Sequence, residues 1–116
     1  MQARIIKVNN LLRNQLAHLI TREVEFKEGT VVTVMRTEAE ADLKTARVFV
    51  RVFPKTATKK ALQELSRRAP FLQSRLNRAL SMRFVPKLSF AVDQKSDTLD
   101  APTEVEQLLD SLKNQA

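Results

Sequence analysis

The sequence has no cysteine, no tryptophan, no tyrosine and a single glycine. Without cysteine there are no disulfides, thiolate metal ligands or cysteine nucleophiles, which suits a reducing cytoplasm. One glycine leaves no room for a glycine-rich phosphate loop. Long apolar runs are also missing. No stretch approaches the roughly 20 residues of a membrane span, and the apolar core of a secretory signal is absent. A cytoplasmic chain with no membrane partner is therefore expected. The lone histidine, His18, falls on the polar side of a helical pattern, the place of a solvated residue rather than a base or ligand. Glu38, Glu40 and Asp42 lie in a polar connection between strands and read as a solvated turn, not a cation site. These absences point away from an enzyme and from any cofactor, metal or small-molecule substrate.

Acidic residues are missing locally. Between Glu64 and Asp93 there is no Asp or Glu, while Arg67, Arg68, Arg75, Arg78, Arg83 and Lys87 all fall in that interval. The net charge is +7, so the field of the molecule attracts polyanions, nucleic acid first. An average surface mixes signs, and an acid-free run of this length favours a phosphate-binding face. Beyond Asp93 the balance reverses, with Asp97, Asp100, Glu104, Glu106 and Asp110 against Lys95 and Lys113. The chain divides on this basis into a basic domain, residues 1–96, and an acidic segment, residues 97–116. In the latter, "TEVEQLLDSLKN" after Pro102 has the spacing of a short helix.

At 116 residues, 43% hydrophobic and 28% charged, the composition is that of one globular domain with a core. Ile5, Val8, Leu12, Leu16, Leu19 and Ile20 recur at spacings of three and four, which places them on one helical stripe, with Arg4, Lys7, His18 and Arg22 opposite. Gly29 marks the turn that follows. Residues 30–38, "TVVTVMRTE", and 45–53, "TARVFVRVF", predict paired antiparallel strands. In the second, Ala46, Val48, Val50 and Val52 share one face. Arg47, Phe49, Arg51 and Phe53 share the other, where the rings either pack or offer stacking surfaces to bases.

After Pro54, Thr56 or Thr58 is placed to cap a helix carrying Ala61, Leu62 and Leu65, which is expected to stop or bend before Pro70. A further helix from Pro70 turns Leu72, Leu76, Ala79 and Leu80 inward, with Arg75 and Arg78 on its flank. Alternation of Leu88, Phe90 and Val92 predicts a third strand. A break at Pro70 would expose the amides of a new helix N-terminus beside Arg67 and Arg68, which suits a nucleic-acid backbone. A plain helix-to-helix turn with solvated arginines is the other reading.

Through "ITREV" (Ile20 to Val24), "DLKTARVFV" (Asp42 to Val50) and the ordered set Phe71, Leu72, Leu76, Leu80, Arg83, Pro86, Leu88, Phe90 and Asp93, the chain resembles the ribosome-binding factor A family. These are bacterial assembly factors of the small ribosomal subunit, and the likeness runs from about Arg4 to Leu109. It implies an α+β, type II KH-like fold, in the order helix, strand, strand, helix, kink, helix, strand, with a mixed three-stranded sheet. It also implies a non-enzymatic monomer that binds 16S rRNA in immature 30S subunits near the decoding region. KH domains ordinarily clamp the backbone through a GxxG loop between two helices. This family is known for an Ala-x-Gly kink, whose matching positions here are Arg68, Ala69 and Pro70, with proline in place of the glycine. The residues expected to contact RNA are Arg4, Lys7, Arg67, Arg68, Arg75, Arg78, Arg83 and Lys87. A KH-like RNA-binding module outside the ribosome, or an adaptor whose basic face meets an acidic protein, stand as alternatives.

Overall fold

The apolar stripe at the start of the chain forms helix α1, Gln2–Glu23, in a computed structural model that describes residues 2–93. Val8, Leu12, Leu16, Leu19 and Ile20 are buried, while Arg4, Lys7, His18 and Arg22 lie exposed on the other side. The predicted helix after Pro102 lies outside the described residues. Gly29 then takes φ +88° in a turn closed by the Thr30 amide, which donates to the Lys27 carbonyl at 2.9 Å. That left-handed conformation carries no steric cost for glycine.

Strands β1, Val31–Ala39, and β2, Thr45–Phe53, pair antiparallel as expected. The register shifts between Val34 and Arg36. Strict alternation after Val34 would turn Arg36 and Glu38 toward the core. The bulge at Met35 instead turns Thr37 and Ala39 inward, so one inserted residue keeps Arg36 and Glu38 out of the core. Strand β3, Lys87–Val92, runs parallel to β2, giving a mixed sheet of order β1-β2-β3. Ala46, Val48, Val50, Val52 and Leu88 are buried and belong to the same core as the apolar stripes of α1 and of the second helix. Asp93 closes the sheet: its amide donates to the Val50 carbonyl at 2.9 Å, and its buried carboxylate accepts from Arg36.

Helix α2, Thr58–Ala79, follows a short 3-10 turn, Lys55–Ala57, and here the structure departs from expectation. Neither threonine caps it. Its N-cap is Ala57, with no side-chain cap hydrogen bond. Nor does Pro70 divide it: one helix replaces the expected helix, kink and helix, and Pro70 lies inside it. The reason is phase. Ala61, Leu65, Leu72 and Leu76 form a single buried stripe that continues across residue 70. Burying that stripe as one surface outweighs the roughly 3 kcal/mol that an interior proline costs. Pro70 and Ser66, whose carbonyl loses its helical donor, are both exposed, so solvent can serve the orphaned acceptor. Ala79 is exposed rather than inward. Leu80 is buried in its place, and its amide donates to the Leu76 carbonyl at 3.0 Å.

Because Pro70 interrupts a helix instead of starting one, Pro70→Ala is expected to raise stability, by about 1–3 kcal/mol, and Pro70→Gly by less. Urea denaturation of the three chains checks the ranking. A loss of stability on Pro70→Ala would mean that the proline holds a conformation the helix needs. Among the described residues no helix is long and apolar enough to cross a membrane.

Candidate nucleic-acid interface

Arg67 and Arg68 are not a mobile pair beside a helix start. Arg67 makes two hydrogen bonds to Glu64, at 3.2 and 2.6 Å, and these hold the Glu64 carboxyl below its ordinary range. Arg68 donates through Nη2 to the Glu23 carbonyl at 3.1 Å, at the C-terminus of α1, where a helix presents the negative end of its dipole. Its guanidinium also lies 4.7 Å from the centroid of Phe71, a ring that Arg75 approaches at 5.1 Å. Arg68 thus fastens α2 to α1. With α2 unbroken, the amides expected at Pro70 are taken up within the helix and offer no anion site. Arg75 and Arg78 are exposed along the same helix.

Arg4, Lys7 and Arg83, spread over most of the chain, meet at one place. The N-terminal half of α1, the β1–β2 loop and the loop leading into β3 enclose an open groove of about 940 Å³. Its apolar surface comes from residues such as Val8, Leu43, Met82 and Val85, and its basic rim from Arg4, Lys7, Lys44 and Arg83. Among the described residues, Asp42 is the one acidic residue lining it. Lys87 adjoins the groove, since its amide donates to the Lys44 carbonyl at 2.9 Å.

The two loops are held in defined positions. The Lys44 amide donates to Asp42 Oδ1 at 2.9 Å and the Leu43 amide to the Glu40 carbonyl at 2.8 Å, while Leu43 sits at φ +60° with its side chain packed against the core. Such a φ is costly for leucine and persists only where the surroundings dictate it. On the other side, Gln73 of α2 donates through Nε2 to the Pro86 carbonyl and accepts at Oε1 from the Leu88 amide, both at 3.0 Å. This side-chain staple anchors the loop that carries Arg83 and Phe84. Phe84 is 75% exposed, with the Arg83 guanidinium 5.6 Å from its ring centroid. An open ring among cations is the arrangement on which single-stranded nucleic acids stack bases.

The sheet face turned away from the helices carries Arg47, Phe49, Arg51 and Phe53, as the alternation required. The Arg36 guanidinium lies 4.0 Å from the centroid of Phe49, so that ring is covered. Phe53 is 69% exposed and stands opposite Val31, which is also exposed. Of the two rings, only Phe53 presents an open surface. Lys44 and Phe84 escaped the sequence reading. Their signal lay in "DLKTARVFV" and in the acid-free run, but nothing local says that they converge on α1.

The family model for ribosome-binding factor A matches residues 4–109. The chain is similar to the ribosome-binding factor A of Akkermansia muciniphila, with 38% identity over 96 residues, covering 83% of this chain and 76% of the relative. It is also similar to the crystal structure of ribosome-binding factor A from Thermus thermophilus, at 26% identity and a TM-score of 0.67, covering 76% of this chain and 94% of that one. A homology model of the Thermus thermophilus factor, fitted into a cryo-EM map of a complex of the 30S subunit with that factor, is similar at 27% identity and a TM-score of 0.63, covering 75% and 92%.

Proposed function

The chain belongs to the ribosome-binding factor A family, and from that membership we propose that it binds immature small ribosomal subunits in the cytoplasm through their 16S rRNA and assists their maturation. The observation that supports this most directly is the basic groove. Arg4, Lys7, Lys44 and Arg83 surround an apolar surface beside an exposed aromatic ring, on a fold shared with a factor fitted into a 30S complex. In this reading Arg4, Lys7, Lys44, Arg83 and Lys87 meet phosphates, and Phe84 takes an unstacked base. Arg75 and Arg78 add a second patch of contacts along α2, and Arg67 and Arg68 contribute charge beside it.

The role is one of binding, with no chemical step. A factor shifts an RNA folding equilibrium only by binding one conformer more tightly than another. Here the favoured conformer is the immature one. If about five phosphates are contacted, the log–log salt slope for single-stranded RNA is about −3.5. Sedimentation with purified small and large subunits over a range of salt tests the reading. Retention on small subunits, weakened by salt with a slope near that value, is expected. Equal retention on both subunits would overturn it.

A further inference from the structure

The groove offers more apolar surface than a phosphate backbone can use. Ile5, Val8, Leu11, Met82 and Val85 line it together with the exposed ring of Phe84. An occupant that satisfies both the surface and the rim must be acidic on one side and apolar on the other. Such a segment lies in the same chain. Val105, Leu108, Leu109 and Leu112 follow the spacing i, i+3, i+4, i+7, and Asp97, Asp100, Glu104, Glu106 and Asp110 surround them against only Lys95 and Lys113.

We propose that residues 105–112 dock in this groove as an amphipathic helix, placing the four apolar residues on its surface and the carboxylates in and just before it against Arg4, Lys7, Lys44 and Arg83. The span is compatible. Lys87, the first residue of β3, hydrogen-bonds to Lys44 at the groove, and β3 ends five residues later, at Val92, about 17 Å away at strand rise. The eleven residues from Gln94 to Glu104 reach up to about 36 Å when extended. Docking within one chain proceeds at an effective concentration on the order of millimolar, so contacts too weak for association between molecules suffice. Where the groove is also the RNA face, a consequence that rests on the reading above, the acidic segment competes with RNA. A weak polyanion then fails to displace it and a well-matched RNA succeeds.

The absence of tryptophan and tyrosine makes the test direct, because Phe84→Trp in the full chain supplies a single indole at the groove rim. Its emission is expected to move to the red, and its quenching by acrylamide to rise severalfold, when Leu108→Asp and Leu109→Asp are added. Identical emission and quenching would overturn the docking. A second arm uses the absence of cysteine. Leu11→Cys with Leu109→Cys is expected to form an intramolecular disulfide severalfold faster than Ile6→Cys with Leu109→Cys, since Ile6 is exposed but does not line the groove. Equal rates would also overturn it. Neither arm contains RNA, so failure here is distinct from failure to bind subunits. In a third arm the Leu108→Asp, Leu109→Asp chain is expected to bind a short single-stranded RNA severalfold more tightly than the unaltered chain. Equal affinity would overturn the competition.

Discussion

Leu76→Ala is expected to destabilise the fold by about 2–5 kcal/mol, the range of cavity-forming truncations in a close-packed core. Leu76 is fully buried on the stripe that crosses Pro70, and its carbonyl accepts from the Leu80 amide where the chain leaves α2. The substitution leaves that backbone hydrogen bond in place and removes only side-chain volume, so its cost is that of a cavity in the core. Urea denaturation should show a lower midpoint with an unchanged m-value. Ala79→Ser, three residues on and exposed, should lie within about 0.5 kcal/mol of the unaltered protein. If Leu76→Ala cost no more than Ala79→Ser, the inward face of α2 would have been assigned wrongly.

Reversing three charges at the groove, Arg4→Glu, Lys7→Glu and Arg83→Glu together, is expected to weaken binding to small subunits by orders of magnitude at moderate salt. Removing three phosphate contacts should flatten the log–log salt slope by about 2. All three residues are exposed, so the urea midpoint should stay close to that of the unaltered protein. The same reversal at Arg75 and Arg78 should weaken binding severalfold and equally without loss of stability, because these side chains flank the buried stripe without belonging to it. Unchanged binding in the triple variant would remove the groove from the interface. Unchanged binding in the double variant would remove the flank of α2.

Where local pattern and tertiary packing agree, the sequence was sufficient. The alternation of "TARVFVRVF" located β2 to the residue, Thr45–Phe53, with the correct face inward. The spacing of Leu12, Leu16 and Leu19 identified the inward face of α1, although the helix begins at Gln2, ahead of the first apolar residue of the stripe. Pro70 was misread because a local rule, that proline ends helices, competed with a stripe of four buried residues that only the whole of α2 brings into phase. The bulge at Met35 left a trace, since strict alternation would have buried Arg36 and Glu38, but the trace became decisive only with the pairing partner in view. Arg68 could not be understood from "RRAP" at all, because its hydrogen-bond partner, the Glu23 carbonyl, lies 45 residues away. The groove was the hardest feature to foresee. Its rim is assembled from residues 4, 7, 44 and 83, and individually each reads as an ordinary solvated cation.

The most direct measurement is the ratio of affinities for immature and mature small subunits, determined side by side at one salt concentration with the full chain. Charge alone would bind both, since every subunit displays phosphate. A factor that promotes maturation must discriminate, because only differential affinity moves an equilibrium. The expected result is tighter binding to the immature particle, with the discrimination diminished in the Arg4→Glu, Lys7→Glu, Arg83→Glu chain. Equal affinities for the two particles would contradict a role in maturation and leave a basic protein that binds RNA without preference.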